Sequence, residues 1–115
     1  MKKITIYHNP RCSKSREALA LLQEKNCALE IVEYLKLPLN KSQIKTLLKQ
    51  LQLKPIEMIR IKEECFSKLG LSKTSTDAEL INAMVENPIL IERPIITDGE
   101  KAVIGRPPEN ALKLL

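Results

Sequence analysis

Aromatic residues are nearly missing: the 115-residue chain holds two tyrosines, one phenylalanine and no tryptophan. A core must rest on leucine, isoleucine and valine, and no aromatic platform exists on which bases could stack. Long apolar runs are missing too, since none approaches the ~20 residues of a membrane-spanning helix. The two early lysines, Lys2 and Lys3, lead into a short β-like run rather than a signal peptide. A cytoplasmic chain with no membrane association is the expectation. Cysteine is sparse (Cys12, Cys27 and Cys65), with no CxxC pair and no zinc-ligand spacing, and His8 is the only histidine. A metal site is therefore not expected, and the odd count suits free thiols better than a disulfide framework. Neither sign of charge dominates: 19 basic against 14 acidic residues leave +5. The basic residues are scattered, so nucleic acid is not an expected partner, whereas small anions suit this balance.

What is present reads as one domain of alternating elements. Residues 3–7 alternate up to an Asn-Pro loop and read as a strand. Residues 14–25 read as a helix with Ala18, Leu21, Leu22 and Lys25 on one face, and Leu29 to Tyr34 as a second strand. This β-α-β order implies a parallel pair joined by a right-handed crossover. A helical block follows. Asn40 and Gln43 form a capping-box pattern before Ile44, Leu47, Leu48 and Leu51, and Pro55 suits the first turn of a helix reaching Met58, Arg60 and Glu64. Gly70 ends a helical stretch, and Thr76 to Glu79 is another capping box, opening a helix that stops near Pro88. The end returns to β: Ile95 to Thr97, an Asp98-Gly99 turn, Lys101 to Ile104, then a last helix carrying Ala111, Leu112 and Leu115. The sum is an α/β chain in the order of a thioredoxin-like fold with a mixed four-stranded sheet. Its core would be 1–34 and 89–115, with a helical insertion over 35–88 between the βαβ and ββα halves.

The stretch His8-Asn9-Pro10-Arg11-Cys12-Ser13-Lys14-Ser15-Arg16 carries the most chemistry. It sets one thiol between a strand end and a helix start, among cations. A thiol reacts as its thiolate, which cationic neighbours and a helix N-terminus favour, and the free N–H groups of that terminus attract an oxyanion. Cys12 thus reads as a nucleophile facing an anionic substrate. Around it, His8 either favours the thiolate or simply caps the strand end. Ser13 and Ser15 either bond the sulfur or cap the helix. Arg11, Lys14 and Arg16 either tune the thiol or are solvated charges of a helix start. Ser15 stands where a CxxC motif would carry its second cysteine, so the loop has no resolving thiol of its own. The wrapping Cys-x5-Arg loop of low-molecular-weight phosphatases is absent, because Ala18 occupies the arginine position.

That loop, together with Ile59-Arg60, Asn87 to Pro94 and Ile104-Gly105-Arg106-Pro107, resembles the glutaredoxin-coupled arsenate reductase family, in its compact branch. The likeness runs from Lys3 to the C-terminus. It implies that Cys12 is the catalytic nucleophile, that Arg60, Arg93 and Arg106 hold the oxyanion, and that the bond before Pro94 is cis. It further implies arsenate as substrate, glutathione as co-substrate, glutaredoxin as protein partner and no bound cofactor. Two other functions fit the fold: an Spx-like regulator binding RNA polymerase, and a glutathione-dependent thiol oxidoreductase with another substrate. The regulators sense oxidation through a CxxC disulfide, which Cys12-Ser13-Lys14-Ser15 cannot form.

Overall fold

The computed structural model describes residues 1–115, and they gather into two compact units. The first unit comprises residues 1–37 and 93–115, and the second residues 38–92. The first holds a four-stranded sheet of β1 (Lys2–Tyr7), β2 (Cys27–Val32), β3 (Ile95–Thr97) and β4 (Ala102–Ile104), in the order β2-β1-β3-β4. β1 runs parallel to β2, with Ile4 opposite Leu29 and Ile6 opposite Ile31. It runs antiparallel to β3, which pairs antiparallel with β4. This is the mixed sheet of a thioredoxin-like fold. The alternation of β1 puts Ile4 and Ile6 on one face, where they pack with Ile96, with Ala18 and Leu22 of α1 (Ser13–Gln23), and with Ala111 and Leu114 of a 3-10 helix, Pro108–Leu114. With few aromatics, the core is aliphatic as the composition requires.

Several element ends differ from the sequence reading. β2 begins at Cys27, since its ladder with β1 starts at the Lys2–Cys27 pair, and Tyr34 lies beyond it, fully buried. Lys25 is past the end of α1 and exposed, so it belongs to no apolar face. At the C-terminus the tighter 3-10 winding buries Leu114 and leaves Leu115 exposed.

The second unit contains α2 (Lys41–Leu51), α3 (Pro55–Met58), α4 (Glu64–Lys68), α5 (Asp77–Glu86) and a 3-10 turn, Pro88–Leu90. Both expected capping boxes form: Asn40 Oδ1 accepts from Gln43 N while Gln43 Oε1 accepts from Asn40 N, and Thr76 and Glu79 repeat the exchange. Gly70 ends α4's run in the left-handed region, φ +71°. The continuous helix expected from Pro55 to Glu64 does not form. Ile59 pairs with Ile91 in an antiparallel bridge, Glu92 N donates to the Met58 carbonyl and Arg60 N to the Leu90 carbonyl. Those bonds pull the chain out of helix after one turn. No helix is long and apolar enough to cross a membrane.

Candidate active site

The cysteine loop lies wholly within the first unit. His8 N donates to the Val32 carbonyl (2.8 Å), extending the β1–β2 ladder by one bond and burying the His8 ring. A turn follows. Cys12 N donates to the Asn9 carbonyl (3.0 Å), and Asn9 Oδ1 accepts from Arg11 N (3.0 Å). Asn at the first position and Pro10 at the second are the residues such a turn favours. Cys12 is then the extended residue before α1, and its carbonyl accepts from Arg16 N (3.0 Å). Its side chain makes no capping bond and is 8% exposed. The thiol therefore sits beside the unpaired N–H groups of the first helical turn.

Ser15 is fully buried and turned to the loop's interior. Its Oγ accepts from Asn9 N (3.0 Å) and lies 2.7 Å from His8 Nδ1. The hydroxyl oxygen has one further lone pair and one hydrogen, so it can bond Nδ1 in either tautomer of the ring. Burial pushes the His8 pKa below its ordinary value; Glu33 raises it by less, and Arg16 lowers it further. His8 is therefore neutral near pH 7 and supplies no positive charge to the sulfur. It anchors the strand end and the loop. Arg16 sends Nη1 to the Pro10 carbonyl (2.9 Å), clasping the loop from outside. Lys14 pairs with Glu17 at the surface.

Two distant parts of the sequence complete the unit's site. Arg106, just beyond β4, donates through Nη2 to Cys12 Sγ (3.4 Å) and through Nε to the Arg93 carbonyl (2.8 Å). One guanidinium thus spans the thiol and the segment entering β3. Arg93 itself has Nε and Nη1 buried with no hydrogen-bond partner. Buried charged donors left unpaired cost at least about 1–3 kcal/mol each, so this arrangement suits an anion. The Arg93–Pro94 bond is cis, as the resemblance implies, and so is Arg106–Pro107.

Sequence reasoning passed over Gly105, whose N donates to the Pro94 carbonyl (2.8 Å). A Cβ there would stand 2.7 Å from Pro94 Cγ and 3.1 Å from Ile96 Cδ1, so only glycine lets the Arg106 segment lie this close. Asn9, which orders the loop through three bonds, was passed over as well; the Asn-Pro pair was its signal.

Arg60 belongs to the second unit. Its Nη1 bonds Glu63 Oε1 and its Nε lies 3.5 Å from Glu92 Oε1. Unlike Arg93, its charge already has two carboxylate partners. The three cysteines are free thiols; Cys27 Sγ lies 3.7 Å from the Leu22 carbonyl, and Cys65 is half-buried in α4. No cluster of three or more His, Cys, Asp or Glu side chains is arranged to hold a metal ion.

Residues 7–114 match the family model described as the ArsC family. The chain is 47% identical over 116 residues to the uncharacterized protein YfgD of Escherichia coli, covering 99% of this chain and 98% of that one. It is 44% identical over 112 residues to the arsenate reductase of Neisseria meningitidis serogroup B, covering 96% of each. A solved arsenate reductase from Vibrio cholerae shares the fold with a TM-score of 0.94 at 43% identity, covering 99% of this chain and 98% of that one. The family model takes in the cysteine loop and both arginine-proline segments, and the chain belongs to the ArsC family.

Proposed function

We propose that this protein reduces arsenate to arsenite through a covalent adduct on Cys12, with glutathione and glutaredoxin supplying the electrons in the cytoplasm. The observation that carries the reading is Arg93: two buried guanidinium donors without a partner, on a segment tied by Arg106 to the only thiol of the loop. Arsenate near neutral pH is a tetrahedral dianion, and guanidinium forks suit its oxygens.

On this reading the Cys12 thiolate attacks arsenic, and one arsenate oxygen leaves as water after protonation. Arg93 and Arg106 offset the charge of the expanded intermediate. The resemblance implies Arg60 as a further oxyanion ligand; within its own unit it is paired with Glu63 and Glu92. Glutathione then replaces an arsenic-bound hydroxyl, its thiol proton leaving in a second water. A glutaredoxin thiolate attacks the glutathione sulfur and forms a mixed disulfide, and the electron pair of the broken S–As bond stays on arsenic, now trivalent. Water releases arsenite and restores the Cys12 thiol. His8, Ser15, Arg16 and Pro94 hold the loop and the β3 entry in place and touch no reacting atom.

The test is NADPH oxidation coupled through glutathione reductase to glutathione, glutaredoxin and arsenate. Turnover that depends on all three, and vanishes in Cys12→Ser, is the expected result. A wild-type rate no higher than that of Cys12→Ser removes arsenate as the substrate.

A further inference from the structure

Beside the cysteine loop, inside the first unit, lies a cavity of about 270 Å³ whose lining includes none of Cys12, Arg93 and Arg106. Its lining includes Pro10, Arg11, Glu33, Leu35, Lys36 and the His8 ring. Arg11 and Lys36 bring two positive charges and Glu33 one negative charge, for a net +1. The His8 ring beside them is held through Nδ1 to Ser15 Oγ (2.7 Å), which fixes that wall. Glu33 and Lys36 pair at 3.6 Å with side chains 40% and 79% exposed, so that pair is weak and easily exchanged for ligand contacts. Pro10 and Leu35 supply apolar wall. The volume is slightly under the ~300 Å³ at which small-molecule pockets begin. It suits a ligand that leaves one arm outside, and the residue following Arg11 is Cys12.

We propose that this cavity binds a small peptide with two carboxylates and one ammonium, the charge pattern of glutathione. Its two positive groups and one negative group mirror that pattern. An inorganic anion or a polyphosphate would leave Glu33 opposed, and a neutral ligand would leave both cations unused. The inference rests on the thiol-dependent reading given above and assigns the thiol donor a place on the chain. The carboxylates meet Arg11 and Lys36, the ammonium meets Glu33, and the cysteinyl arm extends from the cavity toward the Cys12 loop.

The test uses S-methylglutathione, which carries the charges but no reactive thiol, titrated into the full chain without arsenate and followed by amide NMR shifts. Shifts centred on residues 8–11 and 33–36 are expected. Arg11→Ala and Lys36→Glu, both at exposed side chains, should each weaken binding about tenfold. In the coupled assay the same variants should raise the KM for glutathione by a similar factor and leave the KM for arsenate unchanged. No shift at the cavity at millimolar ligand, or equal affinity in wild type and both variants, overturns the site. The two readings fail separately. Cavity binding in a protein that does not reduce arsenate upholds the site and removes only the substrate. Arsenate reduction with an unaltered glutathione KM in both variants removes only the site.

Discussion

Replacing Ser15 by alanine removes one oxygen from a fully enclosed position and leaves two groups without partners. Asn9 N–H loses its acceptor at 3.0 Å and His8 Nδ1 loses its hydrogen-bond partner at 2.7 Å. A buried donor or acceptor stripped of its partner costs about 1–3 kcal/mol, and no other protein group in the loop replaces the hydroxyl. Together the two losses amount to about 2–6 kcal/mol, a large share of the roughly 5–15 kcal/mol that holds a domain of this size folded. Urea unfolding monitored by circular dichroism reads this as a lower midpoint at unchanged slope. Ser13→Ala, at an exposed position two residues earlier, should stay within about 0.5 kcal/mol of wild type.

A Ser15→Ala protein as stable as wild type would refute the bond network argued for this loop.

Arg106→Ala removes the donor to Cys12 Sγ and should lower kcat/KM for arsenate by roughly ten- to a hundredfold, from about 1.5–3 kcal/mol for a charge-assisted contact; steady-state kinetics at saturating glutathione measure it. Gly105→Ala drives a methyl into the Pro94 ring and should cost about 1–3 kcal/mol in thermal or urea unfolding, with slower iodoacetamide alkylation of Cys12 as the Arg106 segment is displaced. The Asp98 carboxyl, held at about 2 by N–H bonds from Lys101 and Glu100 and by Lys2, protonates less readily folded than unfolded. Its stabilising effect is therefore complete above about pH 4–5 and is lost as pH falls toward 2. Asp98→Asn should be less stable at about pH 6 and show a flatter stability profile between roughly pH 4 and 2. His8, shifted down, acts in a higher window: stability that is constant above its unfolded value near 6.5 should fall on acidification below it, and His8→Gln should remove that slope.

Local chemistry written in neighbouring residues was legible from the sequence. The Asn40 and Thr76 capping boxes, the Gly70 stop and the Asp98-Gly99 turn each depend on contacts within three or four residues, and each forms where the pattern places it. The break after Met58 was not legible. It is imposed by Ile91 and Leu90, some thirty residues away, on a segment whose own residues suit a helix. In the site, the loop around Cys12 announces itself because strand end, turn and helix start are contiguous. Its internal bonds do not: Ser15 and Arg16 read equally well as thiol partners, and folding assigns them to Asn9, His8 and the Pro10 carbonyl instead. The three arginines look alike in sequence and differ in pairing, with Arg60 between two carboxylates, Arg106 on the sulfur and Arg93 unmatched.

The serine at the position where redox loops carry a second cysteine has a physical consequence beyond a missing thiol. Ser15 faces inward, fully enclosed, and its hydroxyl bonds the His8 ring and holds Asn9 in its turn. A cysteine there would put a larger, weakly bonding sulfur where two short hydrogen bonds now close the loop, so geometry as well as chemistry opposes a local disulfide. With no resolving thiol in the loop, the chemistry proposed for Cys12 takes its second thiol from glutathione. The loop's outer wall, with Arg11 exposed on the rim beside Glu33 and Lys36, is the part of the first unit whose charges match such a thiol's peptide. Ser15→Cys separates the two arguments: a domain that remained stable and closed a disulfide between Cys12 and the introduced thiol on oxidation would show position 15 to be free for redox use. The expected result is a destabilised loop with both thiols still titratable after oxidation.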